Sequence, residues 1–192
     1  MEKYEPLAEK KFIYNDQKMN FGIIDFWLYK YSNIWNLQEY IAEFIVEKAL
    51  GINKSYNTDS WTLYDILYRN TRIEIKETSY YHPWNENGKI SNQRNFGITM
   101  ANSSYENSND SNKFERQNDI YVFCLNVGNT KEESNPMNLN NWEFYIVPTK
   151  VINELCGKNK TISLGKVKKI AKKVEYFEIK IYIDELIDME EI

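Results

Sequence analysis

The stretch that decides the fold is Tyr64–Lys76, which reads YDILYRNTRIEIK. It joins two runs rich in β-forming residues, Trp61–Leu67 and Arg72–Thr78, through the polar segment Tyr68–Thr71. Two such runs separated by a short polar segment are typical of a β-hairpin. The sequence therefore predicts two antiparallel strands at this point of the chain.

A two-residue turn at Arg69-Asn70 sets the register of this hairpin. It places Asp65 directly opposite Glu74, with their Cβ atoms about 5 Å apart. Lys76 shares the face of Glu74, because side chains two positions apart in a strand point the same way. Asn70 tolerates the positive φ that such a turn requires, whereas Arg69 suits it poorly, so a looser turn is the alternative.

The facing acids and the lysine predict a particular chemistry. Two opposed carboxylates repel and raise each other's pKa, and a divalent cation removes that cost. Mg²⁺ prefers carboxylate oxygens and keeps bound waters, one of which can attack a phosphodiester. The ammonium of Lys76 can orient that water or offset charge on the phosphate oxygens. A solvated strand face without function is the alternative interpretation, and Phe177–Lys180 repeats the triplet Glu-Ile-Lys in a context that predicts only a structural role.

Hydrophobic spacing predicts the remaining elements. Leu37–Leu50 carries apolar residues at helical spacing and is followed by Gly51, a typical residue beyond a helix C-terminus. Residues 1–20 are polar and mixed, which predicts an irregular arm or a short helix. The other predicted elements are a first helix with Phe26 and Ile34 on one face, a weak strand signal in Lys89–Thr99, buried strands at Ile120–Val127 and Trp142–Val147, and helices at Lys150–Leu155 and from Ser163 to Val174.

This order of elements predicts one α/β domain over residues 1–192, with a central mixed β-sheet flanked by helices. Polar segments near 101–113 and 128–141 predict mobile loops. The formal net charge of −4 argues against a protein that coats nucleic acid by bulk charge. Two cysteines and one histidine, His82, are too few for a four-ligand zinc site. Without a signal-like N-terminus or a run of about 18 apolar residues, we expect a cytoplasmic protein with no membrane partner.

The spacing Asp-x8-Glu-x-Lys formed by Asp65, Glu74 and Lys76, in a hairpin that follows a helix, resembles the PD-(D/E)xK nuclease superfamily. Other segments add to the likeness, which covers roughly residues 22–148: Asp25-Phe26-Trp27, Ala42–Val46 with Ala49–Gly51, Asp119–Phe123 and Asn138–Tyr145. The resemblance implies a restriction-endonuclease-like core. It also implies an Mg²⁺-dependent (or Mn²⁺-dependent) endonuclease that hydrolyses DNA, in a restriction or defence role.

Carried over by residue, the resemblance makes Asp65, Glu74 and the carbonyl of Ile75 metal ligands and Lys76 the catalytic lysine. Glu43 matches a helix acid that many members use at the metal site. This chain departs from the pattern in two places. Tyr64 stands where a proline is usual, and His82 lies where similar proteins often carry Gln, so no direct role is implied for His82. Strand alternation points Glu77 to the face opposite Glu74.

Candidate contacts with nucleic acid come from local basic residues. Lys166, Lys169 and Lys173 follow one another on the predicted Ser163–Val174 helix, and lysines can contact phosphates. Arg94 and Arg116 bracket the loop after the hairpin. A solubilising outer face is the alternative interpretation of the lysines.

Three functions are open at this stage. The first is the nuclease on duplex DNA, as a homodimer if two strands are cut by two sites. The second is a catalytically inactive relative that binds nucleic acid or protein. The third is an unrelated interaction protein whose Glu-Ile-Lys is only a solvated strand face.

Overall fold

The computed structural model of the chain describes residues 7–31, 37–52, 63–81, 94–102 and 114–192. It divides into two compact units, Met1–Leu37 and Gln38–Ile192, and each is described by itself. The interpretation of residues 1–192 as one domain stays a prediction. Within the described ranges, no helix combines the length and apolar character needed to cross a membrane.

The first unit contains a β-hairpin and a helix. Strands β1 (Lys11–Tyr14) and β2 (Gln17–Gly22) pair antiparallel across a turn at Asn15 and Asp16, which have φ values of 47° and 60°. The prediction of an irregular arm or a short helix for residues 1–20 is therefore wrong over this part. Asn and Asp are the side chains that best tolerate the positive φ of a two-residue hairpin turn. Helix α1 (Ile23–Lys30) follows directly, and the predicted helix residue Ile34 lies outside the described residues.

The second unit is built on a mixed sheet of five strands, in the order β11-β9-β8-β4-β3. Strands β4 and β8 are parallel, and the other neighbouring pairs are antiparallel. The predicted α/β class with a mixed sheet is thus confirmed. The elements of this unit are α2 (Gln38–Ala49), β3 (Ile66–Tyr68), β4 (Thr71–Ser79), β5 (Asn95–Gly97), β6 (Ala101–Asn102), β7 (Phe114–Glu115), β8 (Ile120–Asn126), β9 (Trp142–Pro148), α3 (Thr149–Cys156), β10 (Thr161–Ser163), α4 (Leu164–Ile170), β11 (Lys172–Val174) and α5 (Ile179–Asp188).

Each face of this sheet carries its own hydrophobic core. Helices α2 and α5 cover the face that presents Ile73 and Ile75, and helices α3 and α4 cover the face that presents Tyr121 and Phe123. Every residue of β8 is buried, as expected for a central strand with both faces covered. The predicted strands at Ile120–Val127 and Trp142–Val147 are confirmed by β8 and β9.

Helix α2 ends as the sequence predicts. Gly51 has φ +77°, a conformation that residues with a Cβ adopt at a cost. Its N–H donates to the carbonyl of Lys48, and the N–H of Ile52 donates to the carbonyl of Glu47. This pair of bonds is the Schellman motif, which satisfies carbonyls that the helix end leaves free.

The helix predicted from Ser163 to Val174 is shorter than expected. Ser163 caps it, because its side chain accepts a hydrogen bond from the N–H of Lys166. However, α4 ends at Ile170, and Lys172–Val174 extends as β11 along the edge of β9. The open edge of β9 offers main-chain partners to this segment, and that pairing outweighs local helix propensity.

Two predicted loops have internal structure. Ala101–Asn102 pairs with Phe114–Glu115 as β6 and β7, and residues 103–113 lie outside the described residues. In the loop 128–141, Asn126 donates a side-chain hydrogen bond to the carbonyl of Ser134, which is fully buried. A Cβ at Gly128 would lie 2.3 Å from the backbone of Ser134, so only glycine fits there. These contacts attach the loop 128–141 to the end of β8, and its mobility stays a prediction. The weak strand signal in Lys89–Thr99 corresponds to β5, and residues 89–93 lie outside the described ranges.

Candidate functional site

The paired part of the β3–β4 hairpin has the predicted register, but pairing extends only to Ile66 and Ile73, and the predicted pairing of Asp65 with Glu74 is not formed. Ile66 lies opposite Ile73 and Tyr68 opposite Thr71. Arg69 and Asn70 form the turn between them with φ values of 49° and 63°. Two consecutive positive φ values are those of a type I′ turn, the tight form that matches the twist of paired strands.

Two ion pairs hold Arg69 in this backbone conformation, which is unusual for a residue other than glycine. Its guanidinium donates to Asp184 at 2.9 Å and to Asp188 at 2.6 Å, both on α5. The side chain of Tyr68 also donates to Asp184, at 3.0 Å. Helix α5 therefore anchors the turn that sets the position of the two acids.

Asp65 immediately precedes the first residue of β3. Its N–H donates to the carbonyl of Ile73 at 3.1 Å, and its Oδ2 accepts the N–H of Ile75 at 2.6 Å. The carboxylate thus takes the place of a main-chain acceptor along the part of β4 that β3 no longer covers. Because the N–H and C=O of one strand residue point to the same side, the carbonyl of Ile75 also points toward this open edge.

Glu74 and Lys76 lie beside each other on the face opposite Ile73 and Ile75, as predicted. Their side chains form an ion pair with 2.5 Å between Lys76 Nζ and Glu74 Oε1. The exposed fractions of the two side chains are 26% and 19%, so water screens this pair only in part. The structure thus brings together the three residues that the sequence singled out.

Helix α2 adds two more acids near these residues. Burial, with repulsion from Asp65 and then from Glu39, raises the pKa of Glu43 to about 7. Glu39 also repels Asp65, Glu74 and Glu77. The sequence interpretation missed Glu39. The available signal was its spacing from the candidate Glu43, since residues four apart on a helix lie on one face.

The charges of this cluster are unbalanced. Burial, followed by the negative charge of Glu39, raises the pKa of Asp65 in spite of its bond from Ile75. Burial and repulsion from Asp65 raise the pKa of Glu74. Burial lowers the pKa of Lys76, but attraction to Glu74 and then to Asp65 outweighs that effect and raises it overall. Among the described residues, the carboxyl groups of Glu39, Glu43, Asp65 and Glu74 therefore surround the single ammonium group of Lys76.

Glu77 contributes a further buried carboxyl group. It follows Ile75 on the face that α2 covers, as alternation predicts, since its partner on β8 is the buried Cys124. Burial and then repulsion from Glu39 raise the pKa of Glu77 to about 7. Among the described residues, its Oε1 has no hydrogen-bond partner.

Two neighbouring cavities open at this edge of the sheet. The larger, about 500 Å³, is lined by acids and by the strand after Arg94: Glu39, Glu74, Lys76, Glu77, Gly97, Ile98, Thr99 and Tyr121. The smaller, about 220 Å³, is lined on one side by Leu63, Tyr64, Asp65, Glu74 and Tyr121, and on the other by Thr99, Ala101, Arg116, Gln117 and Asn118. Glu74 borders both cavities and is accessible from each.

The donor chemistry of this cluster fits a hard divalent cation. Asp65, Glu74 and Glu43 supply carboxylate oxygens and Ile75 supplies a carbonyl, which are the ligands that Mg²⁺ and Mn²⁺ prefer. In the side-chain positions observed, Glu74 is bound to Lys76 and Asp65 to the N–H of Ile75. Within the described ranges, no three His, Cys, Asp or Glu side chains are close enough together to hold an ion.

The two arginines predicted to contact nucleic acid are buried instead. Arg94 is 6% exposed and donates to the carbonyl of Tyr80. Arg116 is 6% exposed and donates to the carbonyls of Ile98, Gly157 and Asn159 and to the side chain of Asn153. Sequence position indicated proximity to the site, but the main-chain carbonyls that accept from each guanidinium give it a structural role. Arg116 also lines the smaller cavity, and contact of either arginine with nucleic acid stays a prediction.

The three predicted lysines do not share one helix face. Lys166 donates to the carbonyl of Leu155, and Lys173 lies on β11 with its Nζ 2.6 Å from Glu143. Only Lys169 is an exposed helix residue without a partner among the described residues. His82 lies outside the described residues. Lys180, in the repeated Glu-Ile-Lys triplet, begins α5 and pairs with Asp184.

Comparisons with protein-family models, with curated proteins and with solved structures found no match for this chain. The fold and the site by themselves define an α/β protein with an acidic cleft that contains Lys76. Any narrower class rests on the residues of the cleft.

Proposed function

We propose that this chain is a metal-dependent phosphodiesterase that hydrolyses DNA and has a restriction-endonuclease-like core. The observation that carries the proposal is the meeting of Asp65, Glu74 and Lys76 at the open edge of β4. Two acids and a lysine at one sheet edge, beside a cavity of about 500 Å³, are groups that can support metal-assisted phosphodiester hydrolysis.

The acids supply the metal site. Asp65, Glu74 and the carbonyl of Ile75 would hold Mg²⁺ or Mn²⁺, with Glu43 as a further ligand from α2. A bound cation of this kind supplies positive charge and an acidic coordinated water. The surplus of carboxyl groups supports this part of the proposal, because burial first, and then repulsion from neighbouring acids, raises the pKa values of Glu43, Asp65 and Glu74, and a bound cation would offset both effects.

Lys76 supplies the other half of the chemistry. Its raised pKa, which attraction to Glu74 maintains against burial, keeps the side chain protonated at neutral pH. A fixed ammonium at the edge of the cleft can offset the negative charge that develops on the phosphate oxygens during attack. Its Nζ contacts Glu74 directly, so the same ammonium also orients a ligand carboxylate.

One observation favours the second candidate, a catalytically inactive relative that acts by binding. Glu74 is engaged by Lys76, and no group of three metal-binding side chains converges within the described part of the chain. In such a relative the ion pair between Glu74 and Lys76 would only stabilise β4, and the fold would not require a bound cation.

Plasmid nicking tests the proposal. Supercoiled plasmid is incubated with the protein in Mg²⁺ or Mn²⁺, with and without chelator, and the open-circular and linear forms are quantified. We expect cleavage that the chelator abolishes and that Glu74→Gln reduces at least about 100-fold. Exposed Glu154→Gln on α3 is the matched control and should cut at the wild-type rate. Cleavage that survives Glu74→Gln would refute the assignment, and a folded wild-type protein that never cuts would favour the inactive relative.

A further inference from the structure

A short basic turn lies next to the larger cavity. After α3 the chain passes through Gly157–Lys160, in which Lys158 and Lys160 are both exposed. Among the described residues neither ammonium group has a partner. Elsewhere in the basic C-terminal region, by contrast, Lys166 and Lys173 are bound to acceptors of the protein itself.

Hydrogen bonds attach this turn to the wall of the cavity. The carbonyl of Lys160 accepts the N–H of Ile98 at 2.9 Å and the hydroxyl of Thr99 at 3.3 Å. Ile98 and Thr99 themselves line the larger cavity. In addition, β10, which begins at Thr161, pairs with β5. The backbone of Lys160 is therefore one hydrogen bond away from the cleft, and Lys158 lies two residues before it in the same turn.

Hydrogen bonds from Arg116 fix the backbone of this turn. Arg116 donates from two of its nitrogens to the carbonyls of Gly157 and Asn159, at 3.0 and 3.1 Å. The N–H of Asn159 donates to the carbonyl of Cys156, and Gly157 has φ +51°. A buried guanidinium that satisfies several carbonyls restricts the turn, so the lysines lose little backbone freedom when they bind a ligand.

The charges of the cleft and of the turn together indicate which ligand the turn can bind. In the part of the chain that the structure describes, the cleft contains four carboxyl groups around Lys76, so a polyanion that enters it meets mostly negative charge until cations are bound. Lys158 and Lys160 supply two exposed positive charges on the turn that is bonded to the wall of that cleft. A lysine just past a helix C-terminus also offsets the helix dipole, which accounts for Lys158 but not for Lys160, four residues beyond the helix.

We propose that Lys158 and Lys160 form a phosphate-backbone contact that holds a nucleic-acid strand across the cleft. This inference rests on the proposed function for the choice of a nucleic acid as the polyanion. It assigns the contact to the turn Gly157–Lys160 rather than to Arg94, Arg116 or the α4 lysines. Arg116 acts in this arrangement as a positioning residue, because it touches the turn and not the phosphates.

Binding without metal tests the inference separately from cleavage. The affinity of the full chain for a fluorescein-labelled duplex of mixed sequence is measured by anisotropy in EDTA, over salt concentrations from about 50 to 200 mM. The test variant is Lys158→Ala/Lys160→Ala. The control variant is Lys131→Ala/Lys172→Ala, which removes the same charge from the 128–141 loop and from β11, the far edge strand of the sheet.

We expect the test variant to bind about tenfold more weakly, and its slope of log affinity against log salt to be less steep by about 1.8, since each phosphate contact contributes about 0.9. The control should keep the wild-type slope. An unchanged slope in the test variant, an equal loss in the control, or no binding by the wild type would overturn the inference. If the test variant loses binding as expected but the wild type never cuts plasmid in Mg²⁺, the result supports the lysine contact and refutes the proposed hydrolysis of DNA. If the wild type cuts plasmid but the slope of the test variant is unchanged, the result refutes the lysine contact and supports the proposed hydrolysis of DNA.

Discussion

The carboxylate of Asp65, just before β3 begins, accepts the main-chain N–H of Ile75 at 2.6 Å, on the part of β4 with which β3 does not pair. This bond ties the first acid to the strand that carries the second, because Glu74 immediately precedes Ile75. It also keeps the second oxygen of Asp65 close to an edge lined by the carbonyl of Ile75. The site is thus built on one hairpin. Substitutions in that hairpin should therefore distinguish the residues that stabilise the fold from those that are needed for activity.

Asp65 should have two roles that different substitutions separate. Asp65→Ala leaves the N–H of Ile75 without an acceptor at a partly buried edge, which should lower the free energy of unfolding by about 1–2 kcal/mol. Asp65→Asn keeps an amide oxygen for that N–H and removes the charge, so it should be at least as stable as the wild type. Urea unfolding in metal-free buffer measures both. Equal stability of the Ala and Asn variants would show that the Asp65–Ile75 bond contributes nothing.

Lys76 should be needed for cleavage but not for cation binding. Its ammonium is bound to the Glu74 carboxylate, so Lys76→Met frees that carboxylate for a cation. We expect Mn²⁺ to bind at least as tightly as in the wild type while plasmid cleavage falls at least about 100-fold. Titration calorimetry and the nicking assay on one protein preparation give both quantities. Weaker Mn²⁺ binding, or undiminished cleavage, would rule out this role for Lys76.

The buried carboxyl of Glu77 should make stability depend on pH. Because burial and then repulsion from Glu39 raise its pKa to about 7, the folded protein holds a proton that the unfolded chain releases from about pH 4.5 upward. The stability this group contributes is therefore fully present below pH 4.5 and is lost as the pH rises through 7. Glu77→Gln should stabilise the protein by about 1–3 kcal/mol at pH 8 and leave it unchanged at pH 4.

Denaturant unfolding of Glu77→Gln across this pH range is the measurement. Glu154→Gln, an exposed position on α3, is the control and should follow the wild type at every pH. A gain from Glu77→Gln that is as large at pH 4 as at pH 8 would show that the effect comes from packing and not from ionisation.

Arg116 should matter for stability through the carbonyls that it satisfies. Arg116→Ala removes donors to Ile98, Gly157 and Asn159 and leaves one buried and two partly buried acceptors unpaired, which should cost about 3 kcal/mol. Arg116→Lys keeps the charge but not the planar fork, so it should restore only part of that loss. Thermal unfolding measures both variants. Full stability with lost DNA binding would instead support the sequence prediction that Arg116 contacts nucleic acid.

The hairpin and its register could be predicted from the sequence because both depend on neighbouring residues. Alternation fixes the faces of Ile73 and Glu74, and a two-residue turn fixes which positions pair. The positive φ of Arg69 could not be predicted, since the ion pairs that hold it come from Asp184 and Asp188, more than a hundred residues away. Local propensity alone favours a looser turn.

The contacts with a ligand are harder to predict than the reactive residues. The sequence indicates the charge of Arg94 and Arg116 but not the main-chain carbonyls that accept from them. Helical spacing predicts Lys173 on a helix, whereas the free edge of β9 takes it into β11. The sequence does not single out Glu39, because its proximity to Asp65 and Glu77 depends on how α2 packs against β4. In each case a partner distant in sequence decides the outcome.

The binding of a divalent cation by Asp65 and Glu74 is the claim on which the account depends most. Its direct test is calorimetric titration of Mn²⁺ into the metal-free wild type, Asp65→Asn, Glu74→Gln and the control Glu154→Gln. We predict one site in the wild type and the control, and none in the two site variants. A wild-type protein that takes up no Mn²⁺, or site variants that bind it as the wild type does, would contradict the account.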